Sequence, residues 1–64
     1  MTHWLIIVPG WGTVYGIGTR RQAEEVARFR AKPMRGTPIV TEALPEMTEE
    51  WTNLTDMLLE ILDE

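Results

Sequence analysis

The alternation of apolar and polar positions changes along the chain, and each change marks an element. Residues 3–8, HWLIIV, are aromatic and β-branched, the composition of a strand. Trp4, Ile6 and Val8 fall on one face and Leu5 and Ile7 on the other. A strand apolar on both faces belongs in the middle of a sheet, covered above and below. Pro9 and Gly10 stop it. Residues 13–17, TVYGI, form a second, weaker strand after a short turn around Gly10-Trp11-Gly12; two strands joined by a few residues containing glycine make a hairpin. Gly16 inside the second strand predicts a bulge or a close backbone approach.

The period then lengthens. Thr19-Arg20-Arg21-Gln22 fits a capping box, in which the Thr hydroxyl takes the Gln22 amide and the Gln side chain reaches back. Residues 20–32 continue without glycine or proline, with Ala23, Val26, Ala27 and Phe29 on one face, so a helix is expected. Pro33 and Gly36 end it. Residues 37–43, TPIVTEA, predict a third strand with Pro38 at its start or on an edge. Pro45 suits the first turn of a second helix. From there Met47, Trp51, Leu54, Leu58 and Ile61 recur at intervals of three and four, the stripe of an amphipathic helix over 45–63, with TNLTD (52–56) as a stretch where it can break.

The expected order is β-β-α-β-α, a small α+β fold. A crossover through the first helix brings strand three beside strand one. That gives a three-stranded antiparallel sheet of order 2-1-3. The first helix covers one face; the terminal helix covers the other, unless a second chain does. The 64 residues make a single domain, with the sheet and first helix over 3–44 and the C-terminal helix over 45–63. A chain this short buries only about 60% of its unfolded surface, which favours help from a partner or a second copy.

Composition and charge sharpen the picture. The absence of cysteine removes disulfides and thiolate metal sites and points to a reducing, cytoplasmic setting. WLIIV is too short for a signal-peptide core or a membrane span. Net charge is −4 and the pI about 4.8, but the layout is divided. All six bases, Arg20, Arg21, Arg28, Arg30, Lys32 and Arg35, lie within 20–35, where Glu24 and Glu25 reduce the net to +4; from Gly36 onward there are eight acids and no base. Such a split bears on partners and solubility.

Candidate chemistry is sparse. The glycines at 10, 12, 16 and 18 fail the dinucleotide fingerprint, because Tyr15 stands where its third glycine is needed, and no Walker spacing occurs. The stretch reads as a turn followed by a helix start, although amides and arginines at Thr19–Arg21 form a possible anion site. His3, the only histidine, lies at a strand end with no triad-like set around it. The carboxylates of 42–50 and 56–64 lack calcium-loop spacing and read as a solvated helix face.

Two candidate binding surfaces remain. The basic residues could meet phosphate backbones, but no nucleic-acid motif accompanies them and the acidic tail opposes it. Tryptophan and arginine are enriched at the centres of protein interfaces, and three tryptophans are many for this length. The expected function is a non-enzymatic protein–protein interaction module, an inhibitor or adaptor of a larger host protein of the kind bacteria and their phages encode. A nucleic-acid-associated module using the basic helix 20–35 is the alternative. No catalytic residue, cofactor or metal is expected. The partner-binding residues are Trp11, Tyr15, Arg20, Arg21, Arg28, Arg30, Arg35 and Trp51, and homodimer formation through the C-terminal helix is a further option.

Overall fold

The structure, a computed structural model, describes residues 2–63. It is a small α+β domain with two helices on a four-stranded mixed sheet. Strands β1 (Thr2–Val8) and β2 (Gly12–Gly18) form the hairpin; α1 (Arg20–Ala31) and β3 (Ile39–Glu42) follow. A single 3-10 turn (Pro45–Met47) leads to a two-residue strand β4 (Thr52–Asn53) and to α2 (Leu54–Leu62). The sheet order is β3-β1-β2-β4. β1 is central and pairs antiparallel with β2 and β3, as its two apolar faces require, whereas β4 runs parallel to β2. The three-stranded antiparallel sheet therefore gains a fourth strand of the opposite pairing type.

Local chemistry sets the first half. Pro9 and Gly10 occupy the centre of the hairpin turn, closed by the Trp11 amide donating to Val8 O at 3.0 Å. Gly10 has φ +84°, the value a type II turn needs at its third position, with proline preceding it. Thr19 caps α1: its hydroxyl accepts from Gln22 N at 3.1 Å, and Gln22 Oε1 accepts from Thr19 N at 2.9 Å. Ala23, Val26 and Ala27 are buried beneath α1, with Phe29 packed at the margin.

The second half follows the sequence pattern only in part. Residues 45–63 do not form one helix; the break falls at Asn53, inside the expected TNLTD stretch, and the residues from 45 up to it form no α-helix. Asn53, with extended backbone, caps α2 by accepting from Thr55 N at 2.9 Å, so the helix begins only at Leu54. Asn, Thr and Pro favour caps, turns and extended backbone over helix interiors, and here that preference outweighs the 3-4 spacing of Met47 and Trp51. Nor does α2 cover the second sheet face. It lies beside α1, because Leu54, fully buried, sits on Gly16 and Gly18 of β2. Those glycines project to the same side as Trp4, Ile6, Val8 and Val14. A Cβ at Gly16 would overlap the Leu54 side chain; the glycine marks a close approach, here by a helix.

The core is thus one-sided. Trp4, Ile6, Val8 and Val14 of the sheet meet Ala23, Val26 and Ala27 of α1 and Leu54 and Ile61 of α2. The indole N–H of Trp4 donates to Gly18 O at 3.0 Å, so its polar atom is satisfied inside this core. Complete burial of an Ile, Val or Leu side chain is worth about 1.5–3 kcal/mol, and Ile6, Leu54, Val8 and Val26 are the largest side chains of the set to be fully buried.

The glycine seat has a measurable signature. Gly16→Ala should lower stability by about 1–3 kcal/mol through overpacking, and Leu54→Ala by about 2–5 kcal/mol through the cavity it leaves. In urea unfolding the double variant should lose less than the sum of the two, since the new methyl enters the space vacated by Leu54. Strict additivity would remove the contact from this account.

Candidate functional site

Three surfaces carry the residues singled out from the sequence, and the fold keeps them apart. The first is the sheet face opposite the helices. Pairing in register aligns His3 with Ile17, Leu5 with Tyr15 and Thr41, and Ile7 with Thr13 and Ile39. Leu5, Ile7, Tyr15 and Ile17 are half-buried against one another, and Ile39 is 53% exposed. β1 and β2 contain no Asp, Glu, Lys or Arg, and Glu42 of β3 pairs with Trp4, on the helix side, so this face is uncharged. At one end Trp51 leans on it. Its ring meets His3 edge-on at 4.6 Å between centroids and Tyr15 at 5.7 Å. Its indole N–H donates to Thr48 O at 2.7 Å and to Pro45 O at 3.3 Å, which ties the 45–51 segment down. Trp51 is therefore not on the α2 stripe. Tyr15 and Trp51 are brought together here, with His3 as part of the same aromatic group.

The second surface surrounds the hairpin turn. Trp11 is 44% exposed, and the Arg30 guanidinium lies over its ring, 5.3 Å from the centroid. Such a stack contributes about 0.5–1 kcal/mol at an exposed position. Trp11 and Tyr15 do not form a joint anchor, because the alternation of β2 and the turn send them to different parts of the surface.

The third surface follows the outer side of α1. Arg20 pairs with Glu24 at 3.2 Å and Arg21 with Glu25 at 3.7 Å, each one helical turn apart and solvent-exposed. Exposed pairs of this type are worth little for stability, but they place carboxylates among the arginines: Arg21 and Arg28 share a shallow depression with Glu24 and Glu25. The Arg20 guanidinium also lies 5.9 Å from the Trp4 ring centroid, and that of Arg28 5.6 Å from the Phe29 ring. Between α1 and β3 runs an open groove of about 790 Å³. Ala27, Ala31, Pro38 and Val40 contribute apolar lining, and Arg20, Arg28 and Lys32 contribute cations. Arg35 stands on the exposed α1–β3 loop outside this lining.

The helix start that could have received an anion is closed by its own side chains. Thr19 and Gln22 satisfy each other, and Gln22 Nε2 donates to Thr55 Oγ1 at 2.7 Å, joining the cap of α1 to the first turn of α2. Among the described residues no group of three His, Cys, Asp or Glu side chains is placed to hold a metal ion, and no helix is long and apolar enough to cross a membrane.

Sequence reasoning missed Leu5, Ile7, Ile17 and Ile39 as surface residues. The two-sided apolar pattern of β1 was the available signal, but it implied a cover on each face. Comparison with protein-family models, with curated proteins and with solved structures finds no match to this chain.

The cap can be separated from anion binding. Thr19→Ala should lower stability by about 1 kcal/mol, read by thermal unfolding, while inorganic phosphate should raise the melting temperature of wild type and variant equally, through its general salt effect. A phosphate-specific rise abolished by Thr19→Ala would instead assign the helix start to a ligand.

Proposed function

We propose that the protein is a non-enzymatic protein–protein interaction module that acts as an inhibitor or adaptor of a larger protein, with the uncharged sheet face as its main docking surface. The observation that carries the reading is the location of both helices on one side of the sheet. That arrangement leaves Leu5, Ile7, Tyr15, Ile17 and Ile39 as an apolar face on a chain otherwise rich in charge. Contiguous exposed apolar surface on a small protein marks an interaction site, and aromatic residues anchor such sites; Trp51 and Tyr15 border this one. The partner it fits presents a neutral, apolar surface, because a charge brought against this face would lose its water and find no counter-ion. The same reading assigns the module to the cytoplasm, supported by the absence of cysteine, and to the accessory proteins of a bacterium or phage, supported by size alone.

Basic residues contribute less to this reading. Arg20 and Arg21 face carboxylates on their own helix and Arg30 faces Trp11, an arrangement that dilutes a phosphate-binding patch.

The test is affinity capture with the tagged full chain from lysate of the source cell or its host, with and without nuclease. The wild-type protein and Arg28→Glu should retain the same stoichiometric protein after nuclease. The exposed-face double substitution Ile39→Asp, Thr41→Lys should lose it while keeping a native circular dichroism spectrum. Retention by the double variant overturns the sheet face as the docking surface, and loss of all recovery with nuclease overturns the protein–protein reading in favour of nucleic acid.

A further inference from the structure

The α1–β3 groove and the end of α2 are complementary to each other and lie on different parts of the molecule. The groove combines the apolar side chains of Ala27, Ala31 and Val40 with the cations Arg28 and Lys32. The end of α2 exposes Leu59 and Leu62, at 61% and 70% of their surface, beside Glu60 and Asp63. No residue lines both surfaces. Leu59 and Leu62 are three apart, so they project as neighbours from one side of the helix. The acids beside them have no base anywhere after Arg35 to offset them, and the last turn of α2 carries none. They also stand at the negative end of the helix dipole, where carboxylates are unfavourable and a cation is favourable. Each copy of the chain therefore presents an acidic helix end with two bare leucines, and a basic-edged apolar groove of a size to receive them.

We infer that the α1–β3 groove takes the C-terminal turn of α2 from a second copy of this chain. Leu59 and Leu62 enter the apolar lining, and Glu60 and Asp63 approach Arg28 and Lys32. Because each copy carries both halves, two copies related by a two-fold axis make the contact twice and close as a dimer. Charge complementarity selects this occupant. A nucleic-acid backbone satisfies the cations but leaves the apolar lining unused, whereas the α2 end brings acids and leucines together. The surface is separate from the uncharged sheet face, so the dimer leaves that face free.

Charge exchange tests the contact with the full-length chain, using exposed positions that the core does not need. Sedimentation velocity over a concentration series should show wild type passing from 7.4 kDa to twice that mass, with the dimer weakening as sodium chloride rises. Lys32→Glu alone and Glu60→Lys alone should each weaken the dimer about tenfold or more. Mixing the two variants should restore it, since each groove then faces a helix end of opposite sign. Leu62→Ser should weaken it without changing the charge, with circular dichroism confirming a folded chain. A wild type that stays monomeric throughout, or a dimer that neither reversal affects, overturns the inference. So does a mixture no more associated than its components, or a chain that associates only when an oligonucleotide is added.

Discussion

The contact of Leu54 with the glycines of β2 governs how the layers are arranged. Two positions on the core side of that strand, 16 and 18, carry no side chain. The hollow they leave must be filled from above, because an interior void forfeits packing contacts that nothing else replaces. Leu54 fills it, and its place at the first position of α2 brings the rest of that helix alongside α1. Had those positions held valine or isoleucine, the same face would have had no room for a second helix at this depth. The bare sheet surface on the other side follows from this choice.

The first half of the chain could be read from its residues because its determinants are local. The hairpin turn, the Thr19–Gln22 box and the Ala23, Val26, Ala27 face each depend on neighbours within four positions; the box and the face form as expected, and the turn centres on Pro9-Gly10, just ahead of the expected Gly10-Trp11-Gly12. The 2-1-3 order of the main strands followed from the apolar character of β1. The second half could not be read in this way. The spacing of Met47, Trp51, Leu54, Leu58 and Ile61 fits a helix, but the Asn53 cap divides it, and Trp51 is held by the nearby carbonyls of Pro45 and Thr48 and by the distant rings of His3 and Tyr15. None of those partners is predictable from periodicity. One overlooked clue was the pair of glycines two apart on a strand, which share a face and so define a hollow on a known side.

The candidate surfaces have a similar history. Charge separation along the chain was visible from the start, yet the i,i+4 pairing of Arg20 and Arg21 with Glu24 and Glu25 makes the first turn of the apparent basic patch a mixed one. The neutrality of the open sheet face depends on strand alternation in β1, β2 and β3 taken together, so it emerges only with register. The aromatic residues are divided too: Trp11 meets Arg30 at the hairpin turn, whereas Tyr15 and Trp51 meet each other on the sheet face.

The hydrogen bond from Gln22 to Thr55 spans 33 positions, and Leu54 reaches a comparable distance back to Gly16 and Gly18. A nine-residue helix is too short to persist alone in water, so α2 acquires its structure only against a platform already assembled from the hairpin and α1. Its contacts are non-local, the kind that form slowly during folding. It is also the natural unit of partial opening: α2 as a whole can leave its seat and return while the hairpin and α1 persist. Amide protons of 54–62 should then exchange through a cheaper route than those of β1, and the hollow over Gly16 would be the first interior surface to meet water.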